Sequence, residues 1–122
     1  MLNLNRVELI GNVTRDPEIK GTGNGRMAIV GLATSERWKD AKTGDRKEKT
    51  EFHRLIAWNP KTVDFLEKHL AKGDYVRVVG KLVNRSWEDE GTGETRYAVE
   101  IHIREVSFLQ ARDHGDDGVG ED

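Results

Sequence analysis

Four large rings stand among cations in this sequence: Trp38, Phe52, Trp58 and Trp87. Between Gly31 and Trp58, Arg37, Lys39, Lys42, Arg46, Lys47, Lys49 and Arg54 lie beside the first three. Flat rings interleaved with positive charges suit a flexible anionic polymer whose every unit offers a π-face. A ring stacks on any base and a cation neutralises a phosphate, so single-stranded nucleic acid fits this chemistry. In strand alternation Phe52, Arg54 and Trp58 share one face, as do Lys81, Arg85 and Trp87. Cations are poor company for a ring in a core, because burying an unpaired charge is costly. Base stacking is therefore expected of Trp38, Phe52, Trp58 and Trp87. Phosphate contact is expected of Arg54, Lys81, Arg85, Arg96 and Lys49.

Other chemistries are poorly served. The histidines are His53, His69, His102 and His114, none with a second ligand at metal spacing, and cysteine is absent. Neither a metal site nor a cofactor is expected. The acidic runs at 88–90 and 116–117 fall in polar segments and read as solvated, not as an acid–base pair. The glycine-rich stretch GTGNGR (21–26) lacks the Lys-Ser/Thr of a phosphate-binding loop and opens no helix. With no nucleophile beside a base, the chain is not expected to be an enzyme.

The elements that must hold these residues are mostly strands. Leu4 to Val13 alternates, with Val7, Leu9, Gly11 and Val13 in one phase, and Asp16-Pro17 ends it. Residues 21–26 predict a turn or mobile loop. Met27–Ser35 and Glu51–Trp58 are strands joined by a polar loop that turns at Gly44. Asn59-Pro60 opens a helix as N-cap and first position; the helix runs to about Lys72 and stops at Gly73. Its stripe is Val63, Leu66 and Leu70. Tyr75–Trp87 and Arg96–Leu109 are long strands, the second with Tyr97, Val99, Ile101 and Ile103 in phase. Five strands with one helix between the third and fourth suit an all-β, five-stranded oligonucleotide-binding barrel; an open sheet with one helix also fits the pattern.

The chain has 122 residues, which suits one domain over 1–109, followed by a short acidic tail, 110–122, expected to be disordered. Its formal net charge of −2 argues against a nucleic-acid partner until the distribution is considered. After Arg112 there are five of the 22 acidic residues and none of the 20 basic ones, which leaves the body about +3. No stretch reads as a signal peptide or membrane span, so a cytoplasmic, nucleoid-associated protein is expected.

Linked stretches resemble the bacterial single-stranded DNA-binding proteins: NRVELIGNVTRDPE (5–18), LATSERW (32–38), TEFHRLIAW (50–58), LAKGDYV (70–76), VVGKLVNRSW (78–87) and TRYAVEI (95–101). Their order and spacing cover 5–109. The resemblance implies an oligonucleotide-binding fold, usually homotetrameric, that binds single-stranded DNA without sequence preference during replication, recombination and repair. It implies stacking at Trp38, Phe52 and Trp58, and a place near the DNA path for Trp87. Many relatives have Trp where Phe52 stands. His53 matches a histidine at a subunit interface, and the strand near Arg6 to Val13, with Val7 and Leu9, matches one that pairs between subunits. Relatives commonly end in an acidic peptide tipped with Pro-Phe that docks on replication and repair enzymes. This sequence ends GVGED, where the acidic character is present and the apolar anchor is missing, which puts recruitment by that route in doubt. The competing readings are a docking module resembling primosomal replication protein N, which would need no rings on cationic strand faces, and a nuclease, which would need a metal or acid–base cluster.

Overall fold

The computed structural model describes residues 1–23 and 25–110. In chain order the elements are β1 (Val7–Val13), β2 (Glu18–Thr22), β3 (Gly25–Lys39), β4 (Arg46–Ala57), α1 (Pro60–His69), β5 (Tyr75–Glu88) and β6 (Thr95–Gln110). The sheet runs β1-β5-β6-β4-β3-β2, and β1 also pairs with β3 through Asn12↔Ala33 and Val13↔Leu32. That pairing closes β1, β5, β6, β4 and β3 into a ring of five, with β2 outside it as a hairpin partner of β3. The helix falls between the third and fourth ring strands, as the sequence predicts. Closure needs a close approach at Gly11, where a Cβ would collide with the Ala33 carbonyl.

Alternation fills the ring. Val13, Ala28, Val30, Leu32, Leu55, Ala57, Val76, Val78 and Ile101 form its core together with Val63, Leu66 and Leu70 of the helix side. The helix starts where Asn59 Oδ1 accepts the Lys61 N–H at 2.9 Å, with Pro60 supplying the fixed φ of a first turn. It ends at His69, short of the expected Lys72. The Leu70 N–H still reaches the Leu66 carbonyl.

The β5–β6 pairing slips twice. Val79↔Glu105 is followed by Gly80↔Ile103, which leaves Arg104 unopposed; a second slip lies between Tyr75 and Val76. An extra residue in one strand resets its phase, so Ile101, Ile103 and Val106 all pack on the core. A Cβ on Gly80 would meet the His102 carbonyl at this bulge. Gly80→Ala is expected to cost about 1–3 kcal/mol by overpacking. Thermal denaturation checks this: an unchanged melting temperature would contradict it.

Several boundaries differ from the sequence expectation. Strand β2 was not foreseen, because only Ile19 within it is a large apolar residue. Residues 21–26, expected as a turn or mobile loop, are largely paired: Gly21↔Arg26 and Thr22↔Gly25, with Gly25 at φ 128°. β1 starts at Val7 rather than Leu4. β3 and β4 run on to Lys39 and Arg46, leaving a loop of 40–45 that is closed by the Asp40 N–H to the Asp45 carbonyl at 2.8 Å, with Gly44 at φ 77°. The acidic tail expected from Gln110 onward falls outside the described residues, except Gln110 itself, which ends β6.

Candidate nucleic-acid interface

Strand β4 turns Phe52 and Arg54 outward, and Trp58 follows at its end, held by the helix entry at Asn59. Ile56 shares their phase but is 1% exposed, so the outward face has an apolar floor beneath its rings. Ile56 lies opposite His102 of β6, and His102 lies opposite Lys81 of β5. Adjacent strands thus bring Arg54, Trp58, Lys81, Arg85 and Trp87 onto one face. Trp58 meets the His102 ring edge-on, with centroids 6.0 Å apart. The Arg85 guanidinium lies 4.7 Å from the Trp87 ring centre, a cation–π contact that covers one indole face and leaves the ring half exposed.

A carboxylate organises the middle of this face. Glu100 is 4% exposed. Its Oε2 accepts the Arg85 Nε–H at 2.9 Å and lies 3.6 Å from Arg54 Nε. Its Oε1 lies 3.3 Å from His102 Nε2. The sequence reading missed Glu100. Its one signal is an acid standing alone among apolar residues in AVEIHI, which is ambiguous without knowledge of its cross-strand partners.

Phe52 is the most exposed of the four rings, at 75%. It lines an open groove with Thr14, Arg15, His53 and Arg54. Arg15 was also missed, because the turn after β1 delivers it and no strand phase announces it. Trp38 stands apart from the other rings. The β3–β4 register is regular, so Trp38 falls in the phase of Leu32 and opposite to that of Phe52. It lines a separate cleft with Arg37, Lys39, Arg46, Lys47 and Glu48. Lys47, directly across from Trp38, belongs to this cleft, and Lys49 shares its phase.

Two of the expected phosphate neighbours hold local acids. Lys49 Nζ is 3.3 Å from Glu51, with both exposed. Arg96 lies across from Trp87 and bonds Asp89 at 3.0 Å. The Gly91 N–H, and then the Arg96 guanidinium, hold the Asp89 carboxyl below the ordinary carboxylate range. A depressed folded pKa contributes stability above the unfolded value and loses it as pH falls through the folded one. The Gly91 amide resonance is therefore expected to hold its position down through about pH 4, the ordinary Asp value, and to move only below it. Movement centred on that ordinary value would contradict the bond.

The residues matched to subunit contact lie elsewhere. Val7 and Leu9 pack against this chain's own core, whereas Glu8 points outward to Arg77 and Arg6 is exposed. Among the described residues, β1 pairs with β3 only at Asn12 and Val13, so Val7–Gly11 keeps one open backbone edge. His53 is half buried, with Nε2 2.9 Å from the Thr34 hydroxyl. Among the described residues no three His, Cys, Asp or Glu side chains converge as a metal site, and no helix is long and apolar enough to cross a membrane.

The chain is 44% identical over 114 residues to the single-stranded DNA-binding protein of Rickettsia prowazekii, covering 92% of this chain and 74% of that one. It is 42% identical over 113 residues to single-stranded DNA-binding protein 1 of Chlorobaculum tepidum, covering 92% and 68%. Among solved structures, the Plasmodium falciparum SSB complex with ssDNA superposes with a TM-score of 0.81 at 34% identity, over 90% of this chain and 98% of that one. The model of the single-strand binding protein family matches residues 4–109. A closed five-strand ring with one helix, and a match spanning nearly all of its described residues, place this chain in the single-strand binding protein family.

Proposed function

We propose that the protein binds single-stranded DNA without sequence preference and shields it during replication, recombination and repair. The observation that carries this is the face shared by β4, β6 and β5, where Trp58 and Trp87 stand among Arg54, Lys81 and Arg85 in a chain of this family. Bases stack on Trp58, Trp87 and Phe52, while Trp38 engages the strand from its own cleft. Phosphates meet Arg54, Lys81, Arg85, Arg96 and Lys49, with Arg15 and Lys47 added by their places beside Phe52 and Trp38. Duplex DNA presents no free base faces to such rings, which gives the preference for single strands.

Assembly as a homotetramer fits the open edge of Val7–Gly11, which offers unpaired backbone groups to a second copy, with Arg6 and His53 near the contact. Binding needs no cofactor and performs no chemistry, and the protein works in the cytoplasm on the nucleoid.

The test is an electrophoretic shift of labelled oligo(dT) against a duplex of equal length, with Mg²⁺ present. The expected result is retardation of the single strand alone, with the strand recovered intact. Equal retardation of both would contradict the base-stacking account, and shortened strand would make the protein a nuclease.

A further inference from the structure

A buried acid in the middle of a face built to meet an anion needs an explanation. Glu100 lies under the face, not on it. One of its oxygens accepts the Arg85 Nε–H at 2.9 Å and forms a looser ion pair with Arg54, whose Nε lies 3.6 Å away. The side chains of Arg54 and Arg85 are 44% and 49% exposed, so neither is enclosed by its contact with Glu100. A guanidinium held by Nε keeps its outer fork for a second acceptor, which suits a phosphate. The other oxygen of Glu100 reaches His102, whose ring meets Trp58.

We propose that Glu100 is a positioning residue that makes Arg54 and Arg85 one two-guanidinium phosphate site, with Trp87 against Arg85 and Trp58 reached through His102. The proposal rests on the single-strand-binding reading and adds the internal device that arranges the site. Two like charges near one point repel each other, and each arginine has many rotamers to lose on binding. A shared carboxylate removes both obstacles before DNA arrives, because ordering already present in the free protein need not be imposed by the ligand. The phosphate then binds on the solvent side without displacing Glu100, next to a ring able to take the adjoining base.

The substitution Glu100→Gln keeps the shape and removes the charge. A neutral amide oxygen is a poor partner for two guanidinium groups, so the pair separates. The expected result is a Kd for oligo(dT) raised roughly five- to tenfold. The slope of log K against log salt should also become shallower by about 0.7, the value of one phosphate on a single strand. A residue that only supported the fold would lower the melting temperature without moving that slope. Tighter or unchanged binding, or a slope that stays or steepens, overturns the proposal, because Glu100 would then be a bystander or a competitor of the phosphate.

A second set of variants does not depend on Glu100→Gln folding: Arg54→Ala, Arg85→Ala and the double variant. Arginines that share one phosphate reduce the slope together by about 0.7, whereas separate phosphates reduce it by about 1.4, and the latter overturns the proposal. Wild-type protein measured alongside separates the two layers. Failure of the wild type to bind oligo(dT) sinks the DNA reading and the proposal with it, whereas wild-type binding with either overturning result sinks the Glu100 assignment alone.

Discussion

Trp58→Ala is expected to weaken binding of oligo(dT) by about 1–3 kcal/mol, the usual worth of one base–aromatic stack, which is roughly a five- to 150-fold loss. The ring follows the end of β4 on the cationic face and meets His102 in a T-shaped contact, with half of its surface left for a base. Half of the side chain is already exposed, so its removal costs little core packing. The melting temperature is expected to stay within a few degrees while affinity falls. Fluorescence anisotropy of labelled oligo(dT), paired with a thermal melt, checks both. A variant that binds as tightly as the wild type would place Trp58 off the DNA path. One that melts far lower would make it a packing residue.

Leu55→Ala is expected to have the largest effect on stability. Leu55 is fully buried and lies between Val30 of β3 and Ile101 of β6. It therefore packs where the parallel β4–β6 pair joins the otherwise antiparallel ring. Truncation of a buried leucine costs about 2–5 kcal/mol, a large part of the roughly 5–15 kcal/mol that holds a domain together. Each kcal/mol lowers the melting point of a domain this size by about 4–8 °C. Urea denaturation would read the loss directly, and a change below about 1 kcal/mol would contradict the core assignment. Since the neighbouring Arg54 faces the other way, the folded fraction should still bind DNA.

These two residues also show how much the sequence reveals. Leu55 and Trp58 are legible because Leu55 on β4 and Trp58 just past its end fall in opposite phases of one alternation, although Ile56 in the outward phase is buried too. The strand order, the helix and its Asn59-Pro60 entry are legible for the same local reason, whereas closure into a ring rests on the β1–β3 pairing, since an open sheet fits the same alternation. What escapes is non-local. Strand β2 has too few apolar residues to carry a period, and only its pairing with β3 defines it. The extensions of β3 and β4 past the core are charged on both faces, so no hydrophobic pattern marks them. Cross-strand pairing of opposite charges accompanies them, as at Arg37 and Glu48. The unopposed Arg104 shifts the phase of β6 in a way no alternation announces. Trp38 reads as one of a set with Phe52 and Trp58, yet the regular β3–β4 register puts it on the opposite face. Glu100 has meaning only through Arg54, 46 positions earlier in the chain, and Arg85 on another strand.

Tryptophan fluorescence during titration with long poly(dT), with duplex DNA as control and salt raised stepwise, tests the central claim most directly. Trp38, Trp58 and Trp87 are the only tryptophans in the chain and all three are assigned to the strand's path. The expected result is strong quenching by the single strand and little by the duplex. The log K against log salt plot should fall by about 0.7 for each phosphate engaged. A folded protein whose tryptophan emission does not change on addition of poly(dT) would contradict the account, because the rings would then not meet bases.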